Sequence, residues 1–349
     1  MNTGEMRVSA GALYAFSRNV LAALALPEAD AQLGAENLVW ANLRGVDSHG
    51  VNRLPWLVAL AGDGHLNPRP EIRILRETPA IALIDGDRGL GAVTATFAMR
   101  RSIEKARTMG IGWSVLTNTV TPLAMGFYSE QAMAEGMIGI AVTYGGRNTV
   151  PYGARATGLH NGPISIAVPA ARRRPPLLDM ATSVVAQGKL EVAQARGVSI
   201  PEGWALDAEG NPSTDPNNWS MLLPFGTYKG SGLSFMLECL TGILAGDPMM
   251  GPQLLGKPRD SRHRQNSLLA AIDISLFTDI DDFRSNVDDL VDGVKGLPAA
   301  DGVDEILVPG EPEDRMRAER ERAGIPLPEG TLRGLQEVSQ RLGIEMPAD

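Results

Sequence analysis

Four short apolar runs of β-forming residues constrain the fold of this chain more than any other feature. They occupy residues 80–84, 112–116, 137–142 and 164–168. Only the first two intervals between them hold a helix-length pattern, at 94–108 and 129–135. Regular alternation of strand and helix is the pattern of a parallel, doubly wound sheet. We therefore predict a chain of mixed α and β structure without that regular alternation.

Helical patterns occupy both ends of the chain. Ser9 is a good N-cap for a first helix, and Pro27 ends that helix. A second helix is predicted over 28–44, with Gly45 suited to the left-handed position after its last turn. Apolar spacing further predicts a helix at 232–244, a strand at 268–274, and helices at 313–323 and 332–342.

The charge balance excludes some classes of partner. The 32 Lys and Arg residues against 41 Asp and Glu give a formal net charge of -9, and a negative body repels nucleic-acid phosphate and anionic membranes. No run approaches the roughly 18 apolar residues of a membrane helix, and Arg18 interrupts the N-terminal apolar stretch. The single cysteine, Cys239, permits no intramolecular disulfide. We expect a cytoplasmic protein that binds neither nucleic acid nor membrane.

Motifs for metal and phosphate are weak or missing. The sequence has no His-Glu-x-x-His, its four histidines are scattered along the chain, and we expect no metal site. The Gly-x-Gly-x-x-Gly fingerprint of the doubly wound dinucleotide-binding fold is also missing. The loop 226–232 places Lys229 at the entrance to a predicted helix, where backbone N–H groups and the helix dipole favour an anion. A plain helix-start loop is an equally good interpretation.

The segment Ser48-His49 with Arg53 is the sharpest chemical signal. Histidine exchanges a proton near neutral pH, with an unperturbed pKa of about 6.5, arginine matches a carboxylate with two parallel hydrogen bonds, and Ser48 can orient the ring. A helix capped by Asp47 or Ser48 would place His49 and Arg53 on one face. Pro55 instead favours a start near Arg53, in which case the preceding turn sets their separation. The competing interpretation is a surface histidine that caps a helix.

Taken in order, eight motifs resemble the type 2 malate/L-lactate dehydrogenase family across roughly residues 45–310. That family also includes ureidoglycolate, sulfolactate and 2,3-diketogulonate enzymes and the Δ1-piperideine-2-carboxylate reductases. Each motif alone is weak, but their common order is not expected by chance. The motifs are Ser48-His49-Gly50-x-x-Arg53, Asp85-Gly86-Asp87-x-Gly89-x-Gly91, Gly162-Pro163-Ile164 with Val168-Pro169, Asp179-Met180-Ala181-Thr182-Ser183 with Gly188-Lys189, Gly203-Trp204-Ala205-Leu206-Asp207, Thr214-Asp215-Pro216, Tyr228-Lys229-Gly230-x-Gly232-Leu233 and Val308-Pro309-Gly310-Glu311.

The resemblance implies an α+β fold in which NAD or NADP binds to a non-Rossmann domain with a largely antiparallel sheet. That domain would span residues 79–311. It would pack against a helical domain built from both termini, residues 1–78, which carry the His49 motif, and residues 312–349. The family's different sheet accounts for the missing glycine fingerprint. The resemblance also implies a homodimer with sites near the subunit boundary.

The resemblance assigns roles to individual residues. Ser48 and His49 correspond to the catalytic proton relay, and Arg53 corresponds to the residue that binds the substrate carboxylate. Lys189 stands at a catalytic position where members differ, some having an aspartate proton donor. The implied cofactor contacts are Thr121, Pro122, Asp179, Met180, Ala181, Lys229, Gly230, Pro309 and Gly310.

Two departures from the family pattern fall among the residues that would contact substrate. Thr121 stands where members carry the histidine of Asn-Ser-x-His-x-Gly, and Asn161 stands where they carry the threonine of Gly-Thr-Asn-Pro. The first exchange removes a titratable ring, and the second adds an amide. We predict that both residues bind a substrate with a polar tail, with weak activity toward malate and lactate and stronger activity toward a hydroxylated or amide-bearing acid.

The implied function is that of an NAD(P)-dependent dehydrogenase interconverting a small 2-hydroxy acid and its 2-oxo acid by hydride transfer. One alternative is an NAD(P)H-dependent reductase of a cyclic imine acid, which would use the same His49 and Arg53. A further alternative is a cofactor-binding protein that has lost catalysis, favoured only by the changes at Thr121 and Asn161.

Overall fold

The computed structural model describes residues 6–258 and 262–347, and a seven-stranded sheet forms its centre. The strands found within those residues are β1 (Met6–Val8), β2 (Arg73–Glu77), β3 (Ile81–Asp85), β4 (Ile111–Thr119), β5 (Met137–Tyr144), β6 (Ile164–Ala167), β7 (Leu177–Met180), β8 (Ala205–Leu206), β9 (Pro212–Ser213), β10 (Met221–Leu222), β11 (Gln265–Asp273) and β12 (Ile325–Leu327). The large sheet has the order β2-β3-β4-β11-β5-β6-β7, and β10-β8-β9 form a small second sheet.

The helices in the same part of the chain lie on both sides of the large sheet and at the two ends. They are α1 (Ala10–Ala23), α2 (Glu28–Leu43), α3 (Leu54–Gly62), α4 (Gly91–Met109), α5 (Gly126–Ala134), α6 (Gln187–Arg196), α7 (Tyr228–Glu238), α8 (Met250–Leu254), α9 (Ile280–Lys295), α10 (Glu311–Ala323) and α11 (Glu329–Leu342). None of these described helices is long and apolar enough to span a membrane.

The connectivity of the large sheet confirms the predicted mixed architecture. Its neighbouring strands are antiparallel except for β3 and β4, which α4 connects. The four apolar runs form β3, β4, β5 and β6. β11 pairs with β4 on one side and β5 on the other, and residues 266–271 within it are buried. Helices cover both faces: Met99 of α4 shares a core cluster with Leu116, and Leu237 of α7 shares another with Val142.

The local signals at the N-terminus are confirmed. Ala12 N donates to Ser9 Oγ at 3.2 Å, so Ser9 caps α1. Gly45 follows α2 with a φ of 77°, a left-handed conformation that glycine adopts without steric cost. The helix predicted at 232–244 begins earlier, as α7, and continues after Glu238 as a π-helical turn, Cys239–Ile243.

Several elements were not predicted. Strand β2 is charged and almost fully exposed, so it lacks the apolar alternation that identifies strands. Helix α9 had a usable signal, since Asp279 caps it by accepting from Asp281 N and Asp282 N. Strands β8, β9 and β10 have two residues each, too few to show a period.

The two ends of the chain share one apolar core. β1 pairs with β12, and Leu13 and Leu57 lie in the same cluster as Leu335 of α11. Leu90 and Val120, next to the large sheet, extend this cluster toward it. These contacts support a helical unit built from both termini, while the boundaries at residues 78 and 311 remain a prediction.

Candidate active site

Two consecutive 3-10 turns, Asp47–His49 and Val51–Arg53, connect α2 to α3. The prediction of a helix capped by Asp47 or Ser48 is therefore wrong, and the alternative start near Arg53 is confirmed, since α3 begins at the next residue. Pro55 lies in the first turn of α3, where a missing backbone N–H removes no helical hydrogen bond.

Asn42 fixes the conformation of both turns. Its Oδ1 accepts from Val51 N at 2.8 Å, and its Nδ2 donates to Asp47 Oδ1 at 2.6 Å. Arg320 of α10 donates to both oxygens of Asp47, at 2.6 and 2.9 Å. Gly50 is required for this packing, because a Cβ there would lie 2.2 Å from Asn42 Oδ1. A local turn is thus held by a helix from the far end of the chain.

The turns bring Ser48, His49 and Arg53 together. Ser48 Oγ lies 2.9 Å from His49 Nδ1, and Arg53 Nε donates to the Ser48 carbonyl oxygen. Gly188 of α6 packs against the same serine, since a Cβ there would lie 2.5 Å from Ser48 Cβ. The three predicted residues therefore form one hydrogen-bonded unit.

Desolvation and charge set the protonation of His49. Burial, and then the positive charge of Arg53, lower the pKa of His49 from 6.5 to about 4. The expectation that His49 titrates near neutral pH is therefore wrong for this structure, and the ring is neutral at pH 7. A neutral imidazole can accept a proton, and an anion bound at Arg53 would offset the repulsion and raise the pKa again.

A pocket of about 230 Å³ opens beside this unit. We call Val46, Ser48, His49, Arg53 and Trp56 its helical wall, and Thr121, Thr143, Asn148, His160, Asn161 and Gln265 its sheet wall. The sequence-predicted site residues that line it are Ser48, His49, Arg53, Thr121, Asn161, Asp179, Met180 and Ala181.

Asn161 belongs to a hydrogen-bond network that fixes its orientation. Asn148 Nδ2 donates to Asn161 Oδ1 at 3.1 Å, and Asn148 Oδ1 accepts from Asn161 N at 2.8 Å. Because the side-chain oxygen of Asn161 is engaged, its NH₂ group is the part available to a bound molecule. Thr121 is buried, and its Oγ1 accepts a long hydrogen bond from Leu123 N at 3.4 Å.

His160 is a pocket residue that the sequence reasoning missed. Its backbone N donates to Tyr144 Oη at 3.0 Å, and the two rings pack edge to face with centroids 5.2 Å apart. Burial, and then the nearby His263, lower the pKa of His160 to about 3. His263 N donates in turn to His65 Nδ1 at 2.9 Å. His65, His160 and His263 are far apart in sequence and come together in the fold. The one sequence signal for His160 was its position next to Asn161.

A second cleft, of about 330 Å³, shares Val46 and Asp179 with the first. Pro309 and Gly310 line this second cleft and not the His49 pocket. Burial raises the pKa of Asp179 to about 6, and the hydrogen bond that Gly126 N donates to it at 2.7 Å offsets only part of this effect. Six of the nine predicted cofactor contacts are therefore divided between two adjoining clefts, and Asp179 lines both.

Arg44 is the second cleft's buried cation and was not predicted. It is 4% exposed, its Nη1 pairs with Asp314 Oδ1 at 2.7 Å, and its guanidinium lies 5.2 Å from the Trp40 ring centroid. Its Nη2 is enclosed and has no hydrogen-bond partner among the described residues. A buried donor without a partner is costly unless a bound group satisfies it.

Four predicted site residues line neither cleft. Lys189 is exposed on α6, and a role in the proton relay gains no support from this position. Lys229 is exposed in the first turn of α7, while the buried Gly230 packs against Thr182, where a Cβ would lie 2.6 Å from the carbonyl oxygen. Pro122 is buried against α4 and accepts a hydrogen bond from Tyr128 Oη.

Within residues 6–258 and 262–347, no group of three or more His, Cys, Asp and Glu side chains is placed to hold a metal ion.

Sequence comparison links the chain to one family. The family model described as malate/L-lactate dehydrogenase matches residues 8–336. A malate dehydrogenase of Pyrococcus horikoshii is 37% identical over 350 residues, covering 97% of this chain and 96% of that protein. An L-sulfolactate dehydrogenase of Methanocaldococcus jannaschii is 37% identical over 331 residues, covering 94% and 95%.

Solved structures agree with the sequence relatives. The structure of the malate dehydrogenase from Pyrococcus horikoshii superposes with a TM-score of 0.89 at 36% identity, covering 99% of this chain and 97% of that one. The Δ1-piperideine-2-carboxylate reductase of Pseudomonas syringae superposes with a TM-score of 0.83 at 26% identity, covering 95% and 99%.

Proposed function

The chain belongs to the malate/L-lactate dehydrogenase family, and from that membership we propose that it is an NAD(P)-dependent dehydrogenase interconverting a small 2-hydroxy acid and its 2-oxo acid. One observation carries the proposal. Ser48, His49 and Arg53 form a hydrogen-bonded unit, with Ser48 Oγ 2.9 Å from His49 Nδ1, and all three line one pocket. This combination supplies a proton acceptor beside a carboxylate-binding group.

The chemistry of oxidation divides between the two side chains. Arg53 would bind the substrate carboxylate through charge-assisted hydrogen bonds and so orient the hydroxyl carbon. His49, with Nδ1–H donating to Ser48 Oγ, would accept the hydroxyl proton at Nε2 as the C2–H electron pair leaves as hydride. NAD(P), when bound, supplies the acceptor for that hydride. The products are the 2-oxo acid, the reduced cofactor and one proton, which leaves His49 for solvent.

In the reverse direction His49 must carry the proton. With a pKa of about 4 the ring is almost entirely neutral at pH 7. A carboxylate at Arg53 cancels much of the charge that disfavours protonation, so substrate binding itself would raise the pKa. His49 can then donate to the carbonyl oxygen.

We propose that the second cleft receives the phosphate-bearing part of a dinucleotide at Arg44, beside the acidic lining residues Asp179 and Glu313. Arg44 Nη2 is buried there without a partner among the described residues, and a Cβ on Gly310 would lie only 3.5 Å from it. An arginine in this state offers donors to a phosphate oxygen. The residues that would hold the cofactor are Arg44, Asp179, Met180, Ala181, Pro309 and Gly310, together with Thr121 of the His49 pocket. NAD and NADP both remain candidates.

A second candidate function is reduction of a cyclic imine acid. The similarity to the structure of a Δ1-piperideine-2-carboxylate reductase favours it as the alternative. Arg53 would bind the carboxylate of this substrate as well. His49 would donate a proton to the imine nitrogen, where in the first function it donates to a carbonyl oxygen.

We further propose that the chain forms a homodimer. Exposed apolar side chains cluster along α7 and the turn after it, and such clusters mark association surfaces. They are Tyr228, Phe235, Met236, Ile243 and Leu244. Light scattering during size-exclusion chromatography should give twice the chain mass, and a single-chain mass would contradict the dimer.

The decisive experiment is a substrate panel. Purified protein is assayed with 2-oxo acids and cyclic imine acids, each with NADH and with NADPH, by loss of absorbance of the reduced cofactor. We expect turnover of at least one 2-oxo acid. Turnover of imines alone would replace the first function by the second. Tight cofactor binding with no turnover across the panel would point to the degenerate, cofactor-binding alternative.

A further inference from the structure

Helix α10 contacts the segment that leads from α2 into the first 3-10 turn, Asp47–His49, which we call the relay turn. Asp314 of this helix pairs with Arg44, whose Nη1 lies 2.7 Å from Asp314 Oδ1. Met316 packs against Gly45, where a Cβ would lie 3.0 Å from Met316 Cγ. A helix from near the end of the chain therefore supports the approach to the relay turn.

Arg320 makes the next contact of α10, and it reaches the relay turn itself. Its two Nη atoms donate to the two carboxylate oxygens of Asp47, at 2.6 and 2.9 Å, and Nη1 also donates to the carbonyl oxygen of Asn42. Arg320 is 6% exposed. A bidentate pair of this kind fixes the orientation of a carboxylate as well as its distance. Both Nη groups of this buried arginine are thus directed at the relay turn and the end of α2.

Hydrogen bonds within the relay turn set its shape but not its place in the molecule. His49 N, for example, donates to Val46 O at 2.9 Å. Arg320 instead ties Asp47 to a helix 273 residues further along the chain. Because Asp47 is bonded directly to Ser48, a displaced Asp47 would move the Ser48–His49 pair relative to the pocket. Small displacements of a catalytic group are costly in rate.

We propose that Arg320 is a positioning residue of the proposed reaction: through Asp47 it holds Ser48 and His49 where the imidazole can exchange a proton with the substrate. This inference rests on the proposed function and deepens it. Arg320 is not among the described residues that line the pocket, so it acts through the turn and not on the substrate. Its loss should therefore lower kcat for every acid and leave KM nearly unchanged.

The kinetic test is a double-mutant cycle between Arg320 and Asp47. Arg320→Ala, Asp47→Asn and the double variant are assayed with oxaloacetate and pyruvate. The value of kcat is expressed per cofactor-binding site, counted by fluorescence titration with the reduced cofactor, so that unfolded protein is not counted.

Each single change should lower kcat about tenfold for both acids, with KM changed less than about twofold. The double variant should lose no more than either single variant, because both changes remove the same contact. Arg320→Lys should keep part of the activity, since one ammonium group cannot match both carboxylate oxygens of Asp47.

Arg7→Ala is the matched control. It removes another arginine–carboxylate pair of α10, Arg7 Nη1 with Glu319 Oε1 at 2.8 Å, which joins the helix to β1 and not to the relay turn. Its kcat should equal the wild-type value. Unchanged kcat in Arg320→Ala, losses that multiply in the double variant, or an equal loss in Arg7→Ala would each overturn the proposal. If Arg320→Ala does not fold, Arg320→Lys replaces it in the cycle under the same criterion.

A structural measurement separates this inference from the proposed function. ¹⁵N-histidine is incorporated into wild type, Arg320→Ala and Arg7→Ala, and the imidazole signals of His49 are assigned by their loss in His49→Gln. In the wild type the contact with Ser48 favours one tautomer, so the two ring nitrogens should give well-separated signals. In Arg320→Ala these two signals should move toward each other, while Arg7→Ala should match the wild type.

The two measurements together assign each failure. If the wild type turns over an acid, unchanged His49 signals in Arg320→Ala overturn the inference alone. If the wild type turns over no acid, moved His49 signals support the positioning by Arg320 and remove the proposed function. Unchanged signals without turnover overturn both.

Discussion

The helical wall and the sheet wall of the pocket are encoded over very different distances. Ser48, His49 and Arg53 come from six consecutive residues and contact one another through local turns. The sheet wall instead combines Thr121, which follows β4, with Thr143 of β5, with residues between β5 and β6, and with the first residue of β11. The wall that can move a proton is therefore local, and the wall that can select a substrate is assembled by the sheet.

The walls also differ in how their polar groups are satisfied. In the helical wall, Ser48 and His49 hydrogen-bond each other and Arg53 contacts the same segment. In the sheet wall, the NH₂ group of Asn161 and the ring of His160 retain unused hydrogen-bonding capacity among the described residues. Substitutions in the helical wall should therefore reduce turnover of every substrate, whereas substitutions in the sheet wall should change the ranking of substrates.

The largest expected effect follows from removing His49. His49→Ala should lower kcat by about 10² to 10⁴ for every acid alike, since it deletes the proton acceptor. The affinity for the reduced cofactor, measured by fluorescence titration, should stay unchanged. A loss confined to one acid, or unchanged turnover, would contradict the assignment of catalysis to the helical wall and of substrate selection to the sheet wall.

Removing the charge of Arg53 should have the next largest effect. Arg53→Gln should raise KM for all acids by roughly 10- to 100-fold, since it loses charged hydrogen bonds to the carboxylate. It should also change the pH dependence of oxidation. Oxidation needs neutral His49, so kcat/KM falls as pH drops through the pKa of that ring, about 4 in the wild type.

Without the Arg53 charge the pKa of His49 rises, and the fall should begin at a higher pH. Burial remains the larger cause of the shift, so the new value should stay below 6.5. The measurement is kcat/KM for oxidation between pH 4 and pH 8 with both proteins. An acid limb at the same pH in both would show that Arg53 does not act on His49 through its charge.

Gly188→Ala tests whether the position of Ser48 matters to the helical wall. A Cβ at this position would lie 2.5 Å from Ser48 Cβ, so the serine must move. We expect kcat to fall about tenfold for all acids, because small misplacements of a catalytic unit are costly. Gly293→Ala is the matched control, since a Cβ on that glycine of α9 meets nothing within 4 Å. Equal kcat for both variants would remove the Gly188 contact from the mechanism.

The smallest effect is expected from Thr121→His on the sheet wall. It adds a ring to the lining of the pocket and should change the kcat/KM ratio between oxaloacetate and pyruvate by only a few-fold, with kcat little altered. If the single change instead abolished turnover of both acids, Thr121 would belong with the catalytic groups.

The elements that could be predicted are those with a local cause. The N-cap of α1 is predicted by Ser9, and the end of α2 is predicted by Gly45, a residue suited to a left-handed conformation. Strands β3 to β6 are predicted by runs of β-forming residues. The unpredicted strand β2 is charged and exposed, so it owes its strand conformation to pairing with β3. The strand conformation of β2 therefore depends on the sheet and not on its own residue types.

The sequence by itself determined which groups can do the chemistry, because Ser48, His49 and Arg53 are close along the chain and their residue types fix what they can donate and accept. Only the tertiary structure decided how those groups behave. Burial and the Arg53 charge lower the pKa of His49 to about 4, and desolvation has no signature in a local motif. The fold also decided the neighbours of the site. Pairing of β5 with β11 and β6 holds the segment that carries His160 at the pocket, while Lys189 is exposed on α6 outside it.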